Sequence, residues 1–134
     1  MAWKPRAALM AAGLWWGSLT AIGFVAVPLL FMHLPTPALA GATAAKLFSA
    51  QTWVTVGCVL LMLVAMGRQD DGEPQTPPGA VMLMLGGLLL ALLVEYAVAP
   101  RIVARENLRL WHGVGTAMYA AQWLCAGATL WRRA

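Results

Sequence analysis

Four apolar stretches, at about 7–32, 49–67, 79–99 and 110–131, take up most of the 134 residues. A run of about twenty apolar residues, wound at 1.5 Å per residue, spans a hydrocarbon layer about 30 Å thick. Lipid gives backbone N–H and C=O groups no partner, so such a run closes its own hydrogen bonds as a helix. Composition points the same way: 61% of the residues are hydrophobic and only 10% charged, where a soluble domain carries about 25% charged residues. The expectation is an all-α integral membrane protein, a single four-transmembrane-helix bundle over residues 1–134 with both termini on the same side.

The net charge of +4 is not a nucleic-acid signal, because the basic residues gather at the ends of the apolar runs, at headgroup level. With four spans, five Lys and Arg residues fall on the side of the termini and four on the other. Lys4 and Arg6 flank the first span, which usually dominates orientation, so both termini are expected in the cytoplasm. Those two residues and Ala38-Leu39-Ala40 also resemble parts of a secretion signal. The first run is far longer than a signal's apolar core of about 7–15 residues, however, and a retained first helix is expected. Cys58 and Cys125 both fall inside spans and read as small apolar residues rather than as a disulfide.

Leu34-Pro35-Thr36-Pro37 should stop the first helix, and the Ala-rich segment 38–48 should form a short interfacial helix before the second span. The polar connection RQDDGEPQTPPG at 68–79, the 68–78 part of it above all, reads as a solvated loop. The third connection, from Pro100 to Arg109, reads as a short amphipathic turn. Trp3 and Trp131 are assigned to one interfacial aromatic belt, and Trp53 and Trp111 to the other. LWWGSLTA at 14–21 echoes LWHGVGTA at 110–117.

Helical periodicity sorts the polar and small residues onto faces. Gln51, Thr55, Cys58 and Met62 share one face of the second span. His112, Gly115, Tyr119, Gln122 and Ala126 share one of the fourth, and Gly87, Ala91 and Glu95 one of the third. Gly13 and Gly17 offer a small-residue contact on the first. These stripes are expected to meet as the bundle interior, where polar side chains act as interhelical glue.

One end of the bundle collects the ionisable residues. His33, Gln51, Glu95 and His112 should lie at similar depth, with Lys46, Arg101, Arg105 and Arg109 just above. If the third helix ends at Pro100, Glu95 sits about 7–8 Å inside it. An unpaired carboxylate in mid-membrane costs roughly 2.5–3.5 kcal/mol, so Glu95 needs a proton or a partner, for which Arg101, Arg109 or His112 are candidates. The polar cluster is thus Gln51, Glu95, Arg101, Arg109, Tyr119 and Gln122. His33 and His112, on the first and last helices, are candidate ligands for a haem iron or a copper ion, with Met32 or Met118 as soft auxiliaries. No nucleophile–base arrangement, phosphate-binding loop or CxxC occurs, so no catalytic residues are assigned and an enzyme is not the expectation.

Residues 23–53, GFVAVPLLFMHLPTPALAGATAAKLFSAQTW, resemble the bacterial domain-of-unknown-function 4149 family, whose eukaryotic relatives are called transmembrane protein 205. The likeness rests on Gly23-Phe24, Pro28, Leu30-Phe31, Leu34-Pro35, Ala40-Gly41 and Leu47-Phe48. It continues at Pro100-Arg101-Ile102 and from Leu110 to His112. It implies a four-span membrane protein and carries no activity. A more distant likeness is to membrane proteins of the copper-resistance D type and to the HemJ-type protoporphyrinogen oxidase. The latter has a histidine at the start of its first helix, which this chain lacks.

The leading expectation is a small multi-pass protein of the bacterial inner membrane, a non-catalytic accessory or partner-binding bundle. The alternatives are a haem- or copper-binding protein using His33 and His112, and a small proton-coupled transporter using Glu95. The lipid bilayer is the expected partner, with a homo-oligomer or a larger membrane complex as further options, and nucleic acid is excluded.

Overall fold

The computed structural model describes residues 3–66, 78–104 and 107–133. The polar loop expected at 68–78 therefore lies almost wholly outside the described residues, as do Arg105 and Glu106. Within them the chain is helical apart from short turns and contains no strand. Four long helices pack side by side: α1 (Trp3–His33), α2 (Pro37–Met66), α3 (Pro78–Leu93 continuing through Val94–Val98 and Ala99–Val103) and α4 (Leu108–Arg133).

Three of them are long and apolar enough to cross a membrane: Trp3–His33, Pro37–Met66 and Pro78–Ile102. The fourth, which its length also marked as a span, is more polar, since it carries His112, Thr116, Gln122 and Thr129. Large apolar side chains point outward all around the assembly, among them Met10, Phe24, Met32, Val64, Met82, Leu89 and Leu124. Such a surface suits lipid rather than water.

Two helix boundaries differ from the sequence reading, and both lengthen a helix. No separate interfacial helix precedes the second span, because α2 begins at Pro37 and runs unbroken for 30 residues. Thr36 caps it, its Oγ1 accepting from the Leu39 N–H at 3.1 Å, while Pro37 needs no amide partner at the first helical position. Trp53 consequently sits in the middle of α2, 60% exposed, and not at a helix end as the aromatic-belt pairing expected. The second change is in α3, which passes through Pro100 and ends at Val103.

Proline is tolerated in α1 and α3 by the same device. A proline inside a helix clashes with the carbonyl four residues back and donates no hydrogen bond. Here each proline is preceded by five residues of π-helix, Ile22–Ala26 before Pro28 and Val94–Val98 before Pro100. In each case the amide just ahead of the proline, Val27 or Ala99, donates five residues back, to Ile22 or Val94. The widened turn takes up the misfit without breaking the helix.

Contacts fix the order of the helices. α1 packs most extensively on α2, and α3 on α4. α1 and α4 run in opposite directions, with Tyr119 against Gly23 and Trp16 against Gly127. α3 and α4 are also opposed, through Gly115 on Val98 and Gly79 on Arg132. α1 and α3 are therefore parallel, and Trp15 meets Gly87 across the centre. The offset that relates Trp15 to Gly87 also relates the two π-turns and the two prolines, so both π-turns lie at one level.

The interior is small-residue packing around one large side chain. Ala8, Ala11, Ala12, Trp15 and Leu19 of α1 are buried against Cys58, Val59, Met62 and Ala65 of α2, Met84 of α3 and Ala126 of α4. Small residues let helix backbones approach where no water drives them together. The expected contact of α1 through Gly13 and Gly17 is not the one used, since a Cβ at either would meet nothing within 4 Å. The close approaches are at Gly23, Gly87 and Gly127, where an added Cβ would lie 2.6 Å from the Tyr119 ring, 2.5 Å from the Trp15 ring and 2.9 Å from the Trp16 ring.

Candidate functional site

Two adjoining layers of polar side chains occupy the interior. The deeper one joins three helices. Gln122 of α4 accepts through Oε1 from Thr55 Oγ1 of α2 at 3.0 Å and from Trp15 Nε1 of α1 at 3.4 Å. Gln51 of α2 donates through Nε2 to Ser18 Oγ of α1 at 3.0 Å and to Thr55 Oγ1 at 3.4 Å. Ser18 in turn donates to the Trp15 carbonyl at 3.0 Å.

The Ser18 and Thr55 hydroxyls each spend their one hydrogen, on the Trp15 carbonyl and on Gln122 Oε1, so both accept from Gln51. Gln51 Oε1 is left over, a buried acceptor with no donor among the described residues, on a side chain only 2% exposed. Such groups are uncommon in folded interiors.

The second layer lies at the π-turns. Glu95, in the π-turn of α3, is half-buried and accepts a 2.7 Å hydrogen bond from Ser49 Oγ of α2. At the same level the π-turn of α1 has glycine at position 23, and the Tyr119 ring lies against it. The Tyr119 hydroxyl donates to the Leu19 carbonyl at 2.6 Å, and Phe48 packs edge-on to the same ring at 5.3 Å. Because α3 continues to Val103, Glu95 is eight residues from its helix end, about 12 Å. This is deeper than an end at Pro100 implied.

The remaining expected site residues divide. Gln51, Thr55, Cys58 and Met62 are all buried, as the spacing on the second span required, and so are Gln122 and Ala126 on α4. Tyr119 joins them at the interior seam. His112, assigned to the same α4 face, is exposed instead, one turn into the helix.

His33 is the last residue of α1 and is also exposed. Among the described residues no three His, Cys, Asp or Glu side chains come together as a metal would require. Arg101 is turned to its own surroundings: it donates to the Ala97 carbonyl at 2.8 Å and stacks 4.8 Å from the Trp111 ring. Arg109 is exposed on α4. The Glu95 bond runs to a serine of α2, so the cross-tie it makes is between α2 and α3 rather than to α4.

Sequence reasoning passed over Ser49, Ser18, Thr20 and Trp15. Thr20 accepts from Trp123 Nε1 at 2.9 Å, holding α1 to α4. The missed signal for the π-turns was a repeated heptapeptide pattern, IGFVAVP at 22–28 and VEYAVAP at 94–100. Both have an aromatic third and a proline seventh, and glutamate in the second copy stands where glycine stands in the first.

The arrangement holds a carboxylic group and a fixed hydrogen-bond chain inside an apolar protein. Among the described residues it presents no attacking group hydrogen-bonded to a histidine or lysine base. Compared with protein-family models, residues 10–110 match one described as Domain of unknown function (DUF4149). Neither the curated proteins nor the solved structures yield a match.

Proposed function

The chain belongs to the domain of unknown function (DUF4149) family, and from that footing we propose that it is a single-domain, four-span membrane protein in which Glu95 exchanges a proton in small-solute transport. The observation that carries this is the half-buried Glu95, held by Ser49 about 12 Å from its helix end at the level of the two π-turns. A carboxylate there is expensive when charged, by roughly 2.5–3.5 kcal/mol at mid-membrane. π-Turns recur where helices serve a function, because the widened turn leaves backbone groups free to rearrange. Lys4 and Arg6 ahead of the first span support cytoplasmic termini in an inner membrane, and a reporter fused to either end checks the side.

The test is proton movement in reconstituted vesicles carrying a trapped pH dye under an imposed pH gradient. Wild-type protein is expected to dissipate the gradient faster than empty vesicles, and Glu95→Gln should return the rate to the empty-vesicle value with protein insertion unchanged. Equal rates for wild type, Glu95→Gln and empty vesicles would reject the proton role and leave the non-catalytic, partner-binding bundle. Ligation of haem or copper by His33 and His112 makes a separate prediction for the same preparation. It requires a Soret band or bound copper that falls in both His33→Ala and His112→Ala, and a colourless, copper-free protein from replete cells excludes it.

A further inference from the structure

The outer face of α4 carries a shallow groove of about 840 Å³, lined by Arg109, His112, Gly113, Thr116, Ala117 and Ala120. All six are exposed, whereas Gln122 and Ala126 of the same helix are buried against the other helices. The groove exists because Gly113, Ala117 and Ala120 are small where outward positions elsewhere hold Leu, Met or Phe. Its one hydroxyl is withdrawn, since Thr116 Oγ1 donates to the His112 carbonyl at 2.8 Å. What remains is an apolar trough with a basic end. Arg101, the nearest other described arginine in sequence, is engaged on Trp111 and the Ala97 carbonyl.

We propose that this groove binds one anionic phospholipid, its phosphate on Arg109 and His112 and an acyl chain along Gly113, Ala117 and Ala120. Charge decides for lipid over a second copy of the chain. A two-fold pair about the membrane normal would set each copy's Arg109 toward the other's, a like-charge contact at close range. An anionic headgroup instead meets the positive end at the depth where headgroups lie.

Native mass spectrometry of the purified protein with phosphatidylglycerol, phosphatidylcholine or inorganic phosphate tests this, with light scattering for mass. One phosphatidylglycerol is expected to be retained over phosphatidylcholine. Arg109→Gln should weaken it about fivefold, the worth of one basic residue at an anionic surface. Gly113→Leu should also weaken it by filling the trough while leaving the charges in place. An added Cβ at Gly113 meets nothing within 4 Å, so this variant does not strain the fold. Equal retention of both lipids, indifference to either variant, or saturation by inorganic phosphate alone would overturn the proposal. A dimer that Gly113→Leu dissociates would overturn it too, making the groove an interface between copies.

Discussion

Trp15→Ala is expected to lower the stability of the helix assembly by about 3–5 kcal/mol, the range for removing a large buried aromatic. Trp15 is wholly buried in the core cluster, lies on Gly87 of α3 and donates to Gln122 of α4. Unfolding in mild detergent, by heat or by titrated denaturant, reads the loss. The same contact gives an internal check. Gly87→Ala places a methyl 2.5 Å from the Trp15 ring, an overpacking that costs about 1–3 kcal/mol. With Trp15 already replaced by alanine the methyl has room, so the second change should cost almost nothing. Full additivity of the two would show that the Trp15–Gly87 contact does not set the approach of α1 and α3. Gly86→Ala, with open space at its Cβ, is the control.

The second large effect is an asymmetry between two glutamines. Gln122→Leu removes the acceptor shared by Trp15 and Thr55, and a buried donor left without a partner costs about 1–3 kcal/mol. The Thr55 hydroxyl can turn to its own helix carbonyl, as Thr20, Thr52 and Thr129 do. The Trp15 N–H has no such recourse and carries most of the loss. Gln51→Leu strands no donor, because Ser18 and Thr55 each donate elsewhere, and it removes the unpartnered Oε1. It should be neutral or stabilising. A loss at Gln51→Leu equal to that at Gln122→Leu would mean that the hydrogen-bond directions run otherwise.

Both predictions rest on pairings that no helical period could supply. The period placed Gln51, Thr55, Cys58 and Met62 on one buried face of α2, and the structure buries all four. It placed Gly115, Gln122 and Ala126 on the inner face of α4 equally well. It failed for His112, which shares that face by spacing yet is exposed, one turn into the helix. It also chose the wrong glycines. Gly13 and Gly17 have the spacing of a packing motif, but Gly23, Gly87 and Gly127 are the ones a large ring from another helix rests upon.

The amino-acid sequence by itself determined the long apolar helices, the stops at Pro35 and Pro37, and the phase of each polar stripe, because length, hydropathy and angular spacing are properties of one helix alone. Only the tertiary structure decided that Glu95 meets Ser49, that Trp15 lies on Gly87, and that α3 runs past Pro100 so that its π-turn comes level with that of α1. The reason is physical. A proline misfit can end a helix or widen one turn, and which it does depends on whether neighbouring helices pack against the continuation, here Gly115 on Val98 and Ile102. That choice set the depth of Glu95, and with it the functional reading.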